Sequence, residues 1–371
     1  MTDVPVMRGT APRRARAAAA GSLSANWVST AMGVRWNEQY FSDPYFRHAE
    51  NGRIASWLGP FNAALQERVA RYNVDWEPAG VSGIIGMYSP EAIARYAVGQ
   101  PQPFVVVTAL FGGDVCYFDS DNPDVAGYPL AAAAEPDDIK IPDVLMTSPM
   151  SNYLAQYNDL AARVGAENVD MCGFLYLHSP MSIGYRLRGE QLFLDMVDRH
   201  DMAAAVLDAA LESSCAAWDE CARRSGPFVP PMRLATDIAP LISPGLYRSW
   251  EVPRLQAEID RYGPALIHSC GRSSNVLEAL AELSGVAVME VGAGTDVART
   301  RALFPNAAIN YVMDTAGLVN AAASDVRKEI ADVLVQGGPG RVTAVWAVET
   351  GTPLENIEAI YAAVGEHNDN L

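Results

Sequence analysis

The segment Ala265-Leu-Ile-His268-Ser-Cys270-Gly-Arg272 sets an imidazole and a thiol two residues apart, directly after an apolar run. In extended backbone such residues project to the same side, so the pair can converge on one ion or one substrate atom. Imidazole and thiolate suit zinc, and Gly271 permits a sharp turn behind them. The next apolar run, Val286-Ala-Val-Met-Glu290-Val-Gly, carries a carboxylate that is costly to bury unless paired or metal-bound. The last one, Val342-Thr-Ala-Val-Trp-Ala-Val-Glu349, ends in another. His268, Cys270, Glu290 and Glu349 are therefore the metal-ligand candidates, with Glu349 the furthest from the pair along the chain. Tyr176, His178 and Asp237 end two other runs, Leu175-Tyr-Leu-His178 and Leu234-Ala-Thr-Asp237, and are candidates for substrate orientation or general acid–base work. Each has a plainer reading. His268 could be a core histidine and Cys270 a small apolar residue. Glu290 could pair with Arg299 or Arg301, Asp237 could be a turn residue, and Glu349 could cap the helix near Pro353.

These residues need strands to carry them and helices to hold the strands in place. Apolar or β-branched runs predict strands at 83–87, 104–109, 171–178, 232–236, 265–268, 286–291, 307–312 and 342–348. Helical periodicity covers 189–199, 203–223, 244–262, 274–283, 297–303, 323–336 and 353–364. From residue 232 onward strand and helix alternate regularly, the rhythm of parallel strands joined by right-handed crossovers. No glycine-rich fingerprint follows any strand, which favours a closed barrel over a doubly wound sheet. In a barrel, residues at the C-terminal strand ends face the active site. The segment 110–150, rich in Asp, Pro and Gly, reads as a lid-like loop excursion. Cys116 and Cys172 are expected as core thiols. Cys215 and Cys221 fall on a helical pattern at a spacing unsuited to chelation.

Composition narrows the partners. The net charge is −17 and half the residues are hydrophobic, so a large core is available and nucleic acid is excluded as a partner. Five scattered cysteines in a chain of 371 residues read as reduced thiols in a cytoplasmic protein. No run is long enough to span a membrane. The Arg-rich opening, from Arg8 to Arg16, lacks the apolar stretch of a signal peptide and reads as an arm or a first amphipathic helix.

The stretch from Thr236-Asp-Ile-Ala-Pro-Leu-Ile-Ser-Pro-Gly-Leu-Tyr247, with His268-Ser-Cys270-Gly271 and Gly351-Thr-Pro-Leu-Glu-Asn356, resembles the uroporphyrinogen decarboxylase superfamily. Leu110-Phe-Gly112 and Ser179-Pro-Met-Ser-Ile-Gly-Tyr-Arg-Leu-Arg-Gly189 fit the same pattern. The resemblance covers roughly residues 80 to 365 and implies an α/β fold: a (β/α)8 TIM barrel, residues 80–371, with an N-terminal arm and helices, 1–79, packed on it as one structural domain. The N-terminal Arg-Gln-Ala-Gly-Arg motif of the true decarboxylases is absent; Met32-Gly-Val-Arg-Trp-Asn-Glu-Gln-Tyr-Phe41 stands there. His268, Cys270 and Glu290 are similar to the set used by the zinc methyltransferase branch, related to cobalamin-independent methionine synthase. That branch also uses a later Cys, where this chain has Val345-Trp346-Ala-Val-Glu349, so the fourth ligand would be Glu349, a substrate atom or water. The resemblance thus implies a zinc-dependent methyltransferase working between a small thiol, hydroxyl or methylated substrate and a methylcobamide on a corrinoid partner protein. A cofactor-free decarboxylase or lyase is the alternative, with Asp237 or His178 as proton donor and Arg186, Arg188 and Arg272 holding a carboxylate. A degenerate binding barrel is the third reading. Homodimers are common in the superfamily.

Overall fold

A computed structural model describes residues 32–74, 94–171, 176–225 and 231–371, together with the strand segments Ser22–Leu23 and Ala79–Gly83. The main sheet is built from β1 (Ala79–Gly83), β2 (Leu177–His178), β3 (Met232–Ala235), β4 (Ala265–Ser269), β5 (Val286–Gly292), β6 (Ala308–Val312) and β7 (Val342–Val348). Every pairing in it is parallel, and from β2 to β7 each strand lies beside its successor in sequence. The far edge of β7 then pairs with β1, the first of the seven, and with Ser22–Leu23 beyond it. The fold is α/β with a parallel sheet whose order returns from the last strand to the first.

Alternation along these strands divides the chemistry. Leu234, Ile267, Met289, Val291, Ile309 and Tyr311 are buried in one continuous apolar core together with residues of the surrounding helices, such as Leu255, Ile259, Ile330 and Leu334. The residues between them in sequence, Arg233, Ala235, His268, Glu290 and Asn310, take the opposite face. Covering helices start at defined caps: Ser179 accepts from Ser182 N–H, Asp296 from Arg299 N–H, and Asp314 from Ala316 and Gly317 N–H.

The elements expected from 232 onward are present, most within a residue or two of the predicted bounds. One predicted strand is overturned. Residues 104–109 are not a strand but belong to the helix Pro103–Leu110. Its run of valines is buried all round, so no periodicity separates helix from strand, and Pro103 at the first turn presets the helical φ. The predicted strand at 83–87 lies outside the described residues except for Gly83, where β1 ends. Of 171–178, only Leu177–His178 is described as strand, and Cys172 lies outside. Cys116 is half-buried in a hairpin, Asp114–Cys116 against Asp124–Ala126, and not in the core.

That hairpin opens the 110–150 excursion, which is irregular as expected apart from short turns. Arginines of the helices at Pro180–Arg188 and beyond pin it down. Arg186 reaches Asp124 at 3.1 Å, while Arg188 donates to the carbonyls of Leu130 and Ala133 and to Asp195 at 2.7 Å. Arg188 and Asp195 are 2% and 0% exposed, so truncating one partner strands a buried charge. Asp195→Ala is expected to destabilise the fold by about 3–5 kcal/mol in urea unfolding, against about 0–1 kcal/mol for the exposed pair partner Asp159→Ala.

Candidate metal centre

Register places the site. Because parallel neighbours in register project to the same face, His178, Ala235, His268, Glu290 and Asn310, successive partners across β2 to β6, form one row across the sheet. Two residues further along the chain, past the ends of β3 and β4, Asp237 and Cys270 rise above this row. Two residues back along β3, Arg233 lies in the row beneath. Three rows of a parallel sheet thus supply the whole cluster.

In the middle row, His268 Nδ1 lies 2.7 Å from Glu290 Oε1. The same oxygen is 2.9 Å from Arg233 Nη2, and Asn310 Nδ2 donates to Oε2 at 3.0 Å. Burial raises the Glu290 pKa, but the His268 hydrogen bond, the Arg233 charge and the Asn310 amide outweigh it and hold the carboxyl down at about 2. An ionised carboxylate only accepts, so His268 Nδ1–H is the donor, and in the neutral ring Nε2 carries the lone pair. Nε2 faces the upper row, 2.8 Å from Cys270 Sγ and 3.6 Å from Asp237 Oδ1. Asp237 Oδ1 also accepts from the Cys270 backbone N–H at 3.1 Å, which ties the two strand ends together.

Asp237, His268 and Cys270 each offer a ligand atom within 4.8 Å of the others. His268 is buried, while Asp237 and Cys270 stand exposed, so the ligand atoms open to solvent on one side. The Cys270 thiol is pushed up to about 12, by desolvation first and then by the Asp237 charge beside it. It is therefore a thiol at neutral pH, within reach of both the His268 Nε2 and the Asp237 carboxylate. Of the four ligand candidates from the sequence, the structure brings His268 and Cys270 together. Glu290 stands behind His268 with both oxygens engaged, and neither it nor Glu349 belongs to the three-residue group. At Glu349 the backbone N–H donates to Thr352 Oγ1, as the loop turns toward the final helix. The pairings imagined for Glu290 do not occur: Arg299 bonds Glu278, and Arg301 is taken up by main-chain carbonyls including Gly337 and Ala307.

His178 and Tyr176 flank the cluster. His178 Nε2 is 3.8 Å from Asp237 Oδ2, an ion-pair distance but not a hydrogen bond. Its ring meets the edge of Phe104 at 5.0 Å and tilts against Tyr176 at 5.0 Å. Burial between these rings lowers the His178 pKa to about 4 against the opposing pull of Asp237, so the ring is neutral at pH 7. Burial likewise raises Tyr176 to about 12, which keeps its phenol protonated. Arg233 lies over the Tyr176 ring at 5.1 Å. Arg186 and Arg188, expected as carboxylate holders, are committed to Asp124 and Asp195 instead, and Arg272 is exposed just past Cys270.

Arg233 and Asn310 are members of the cluster that the spacing of His, Cys and Glu does not reveal. Their signal is a polar side chain inside an otherwise apolar strand, at the same parity as the chemistry: 233 with 235 and 237, 310 beside 290.

The family assignment follows from the whole stretch. Residues 97–367 match the model of the uroporphyrinogen decarboxylase (URO-D) family, well over half of the chain. The chain belongs to that family. Among solved structures it is similar to a methyltransferase from Methanosarcina mazei, with a TM-score of 0.58 and 16% identity over 96% of this chain and 98% of that one. At that identity the likeness speaks for the fold. No curated protein matches the chain.

Gly292 shows how tightly the URO-D strand ends are packed around the cluster. A Cβ there would lie 2.1 Å from the Cys270 carbonyl oxygen and 2.6 Å from its carbon. Gly292→Ala is expected to push the 270 turn out of place and weaken metal binding at least tenfold, while a control at Gly245, where a Cβ meets nothing, leaves it unchanged. Isothermal titration with zinc reads both.

Proposed function

We propose that this URO-D family member is a zinc-dependent methyltransferase, moving a methyl group between a small thiol, hydroxyl or methylated substrate and a corrinoid carrier protein. The observation that carries the reading is the convergence of Asp237, His268 and Cys270, with Glu290 buttressing the imidazole from behind. A nitrogen, a sulfur and an oxygen with ligand atoms within 4.8 Å of one another support a three-ligand zinc set with one position left for substrate, the pattern of a catalytic site and not of a closed structural one. Asp237 here replaces Glu290 and Glu349 as the third protein ligand, and Glu290 becomes the carboxylate that orients the histidine. Bound zinc would act as a Lewis acid that lowers the pKa of a substrate thiol or hydroxyl.

The chain's own groups account for the rest. His268 enters with its Nε2 lone pair already aimed, because Nδ1–H is spent on Glu290. Cys270 gives up its proton on ligation. Substrate arrives on the exposed side, over Cys270 and Asp237, with the neutral His178 ring and the Tyr176 hydroxyl beside it as orienting groups. The substrate anion attacks the methyl carbon, whose bond to its carrier breaks with the electron pair staying on the carrier. The Phe104, Tyr176 and His178 rings line one wall and keep bulk water from the anion. We further propose that the sheet closes as a (β/α)8 barrel, a reading supported by the pairing of the last strand, β7, with the first, β1, and by the family. Closure would set the cluster at the barrel mouth. No helix among the described residues is long and apolar enough to cross a membrane.

A cofactor-free decarboxylase, with Asp237 or His178 as proton donor, is the second reading, favoured by the side-by-side placement of those two residues. It is weakened by the commitment of Arg186 and Arg188 elsewhere and by the low pKa of His178. Metal content separates the two. Purified protein is expected to hold near-stoichiometric zinc, lost in His268→Ala, Cys270→Ala and Asp237→Ala but retained in Glu349→Ala. Protein that stays metal-free when zinc is supplied defeats the methyltransferase reading.

The raised Cys270 pKa adds a pH signature. Below about 12 the free thiol holds its proton, so each zinc bound must expel one. Zinc affinity is expected to rise about tenfold per pH unit across pH 6–8 from this proton, and the slope should vanish in Cys270→Ser.

A further inference from the structure

Glu290 is shared by three donors, and the one from the deeper row has no part in the scheme above. Arg233 sits on β3 two residues before Ala235, the register neighbour of His268, so its guanidinium rises from below the imidazole. It is fixed on two sides: Nη2 lies 2.9 Å from Glu290 Oε1, and the Tyr176 ring lies 5.1 Å beneath its carbon. Its Nε is buried without a partner, and its ion pair among the described residues is with Glu290. Oε1 is the same oxygen that meets His268 Nδ1 at 2.7 Å.

A guanidinium has only donors. With Arg233 on Oε1 and Asn310 on Oε2, every other contact of Glu290 must be one it accepts. That leaves a neutral His268 ring a single tautomer, with the proton on Nδ1 and the lone pair on Nε2, toward Cys270 and Asp237. The opposite tautomer would point an N–H at the ligand cluster and close it. Arg299, half exposed, is spent on Glu278; Arg233 is 24% exposed and backed by the Tyr176 ring, so solvent competes less for its contact with Glu290.

We propose that Arg233 is a positioning residue that fixes the His268 tautomer through Glu290, keeping the Nε2 lone pair turned to the ligand cluster. The inference rests on the zinc reading only where metal affinity is measured, since the tautomer is a property of the metal-free protein.

The test uses the full chain in both states. In metal-free, 15N-labelled protein, imidazole two-bond correlation spectra report which ring nitrogen of each histidine carries the proton. The chain has only five histidines, so His268→Ala assigns the signal directly. The wild type is expected to show Nδ1–H at His268, Arg233→Met a substantial Nε2–H population, and Arg233→Lys a return toward Nδ1–H. Zinc affinity is expected to fall about 10–100-fold in Arg233→Met and to recover in part in Arg233→Lys. An unchanged tautomer with unchanged zinc affinity in Arg233→Met overturns the proposal. Failure of the wild type to bind zinc, with the tautomer shift intact, sinks the zinc reading and leaves Arg233 in its role. If Arg233→Met does not fold, Asn310→Ala removes the other donor; the same tautomer in that variant and in the wild type counts against the proposal.

Discussion

Everything at this site depends on one hydrogen bond between neighbouring strands, from His268 Nδ1–H to the Glu290 carboxylate. It exists because β4 and β5 are parallel and in register at those two residues, so that the side chains leave the sheet side by side. A slip of one residue would turn one of them into the apolar layer beneath the helices and end the contact. The bond does three things together. It lets a carboxylate be buried, it fixes the ring plane, and it decides which nitrogen is free. Arg233 and Asn310 hold the carboxylate from the other sides, and Asp237 and Cys270 meet the freed nitrogen.

The electrostatic pattern follows from that bond. The chain as a whole is strongly acidic, yet the cluster is not a pool of loose negative charge. Glu290 is matched by Arg233, and Asp237 takes a backbone N–H from Cys270. His178 is kept neutral by the rings around it. The one group out of its working state is the Cys270 thiol, and a cation is what would change that. The metal-binding reading draws its force from this mismatch: a buried-side imidazole and an exposed carboxylate are arranged around a sulfur that has no reason to ionise alone.

Much of this was legible in the chain. The strands from 232 onward follow from apolar runs bounded by turn residues, and His268-Ser-Cys270 follows from the two-residue period of a strand. The third member of the cluster did not follow, because Glu290 and Asp237 look alike as strand-end acids. Only register distinguishes them: Glu290 lies level with His268, where it meets Nδ1, and Asp237 lies one row higher, where it meets Nε2. The helix at Pro103–Leu110 was misread for a different reason. A segment buried on every side has no polar face, and Val105, Val106 and Val107 favour a strand unless the turn at Pro103 is given weight. Arg233 and Asn310 were hidden by type, since neither is a usual ligand.

The row geometry also bears on how such a centre can change over time. A rim made of parallel strand ends offers several equivalent sockets at one height, and any of them can present a donor toward the same point. A ligand lost from one strand can therefore be supplied by another without rebuilding the scaffold, as long as the newcomer keeps the same parity. Asp237, past the end of β3, and Cys270, past the end of β4, already show two neighbouring sockets turned to one point, one with an oxygen and one with a sulfur. An oxygen in place of a sulfur would make such a centre harder in its preference for ions.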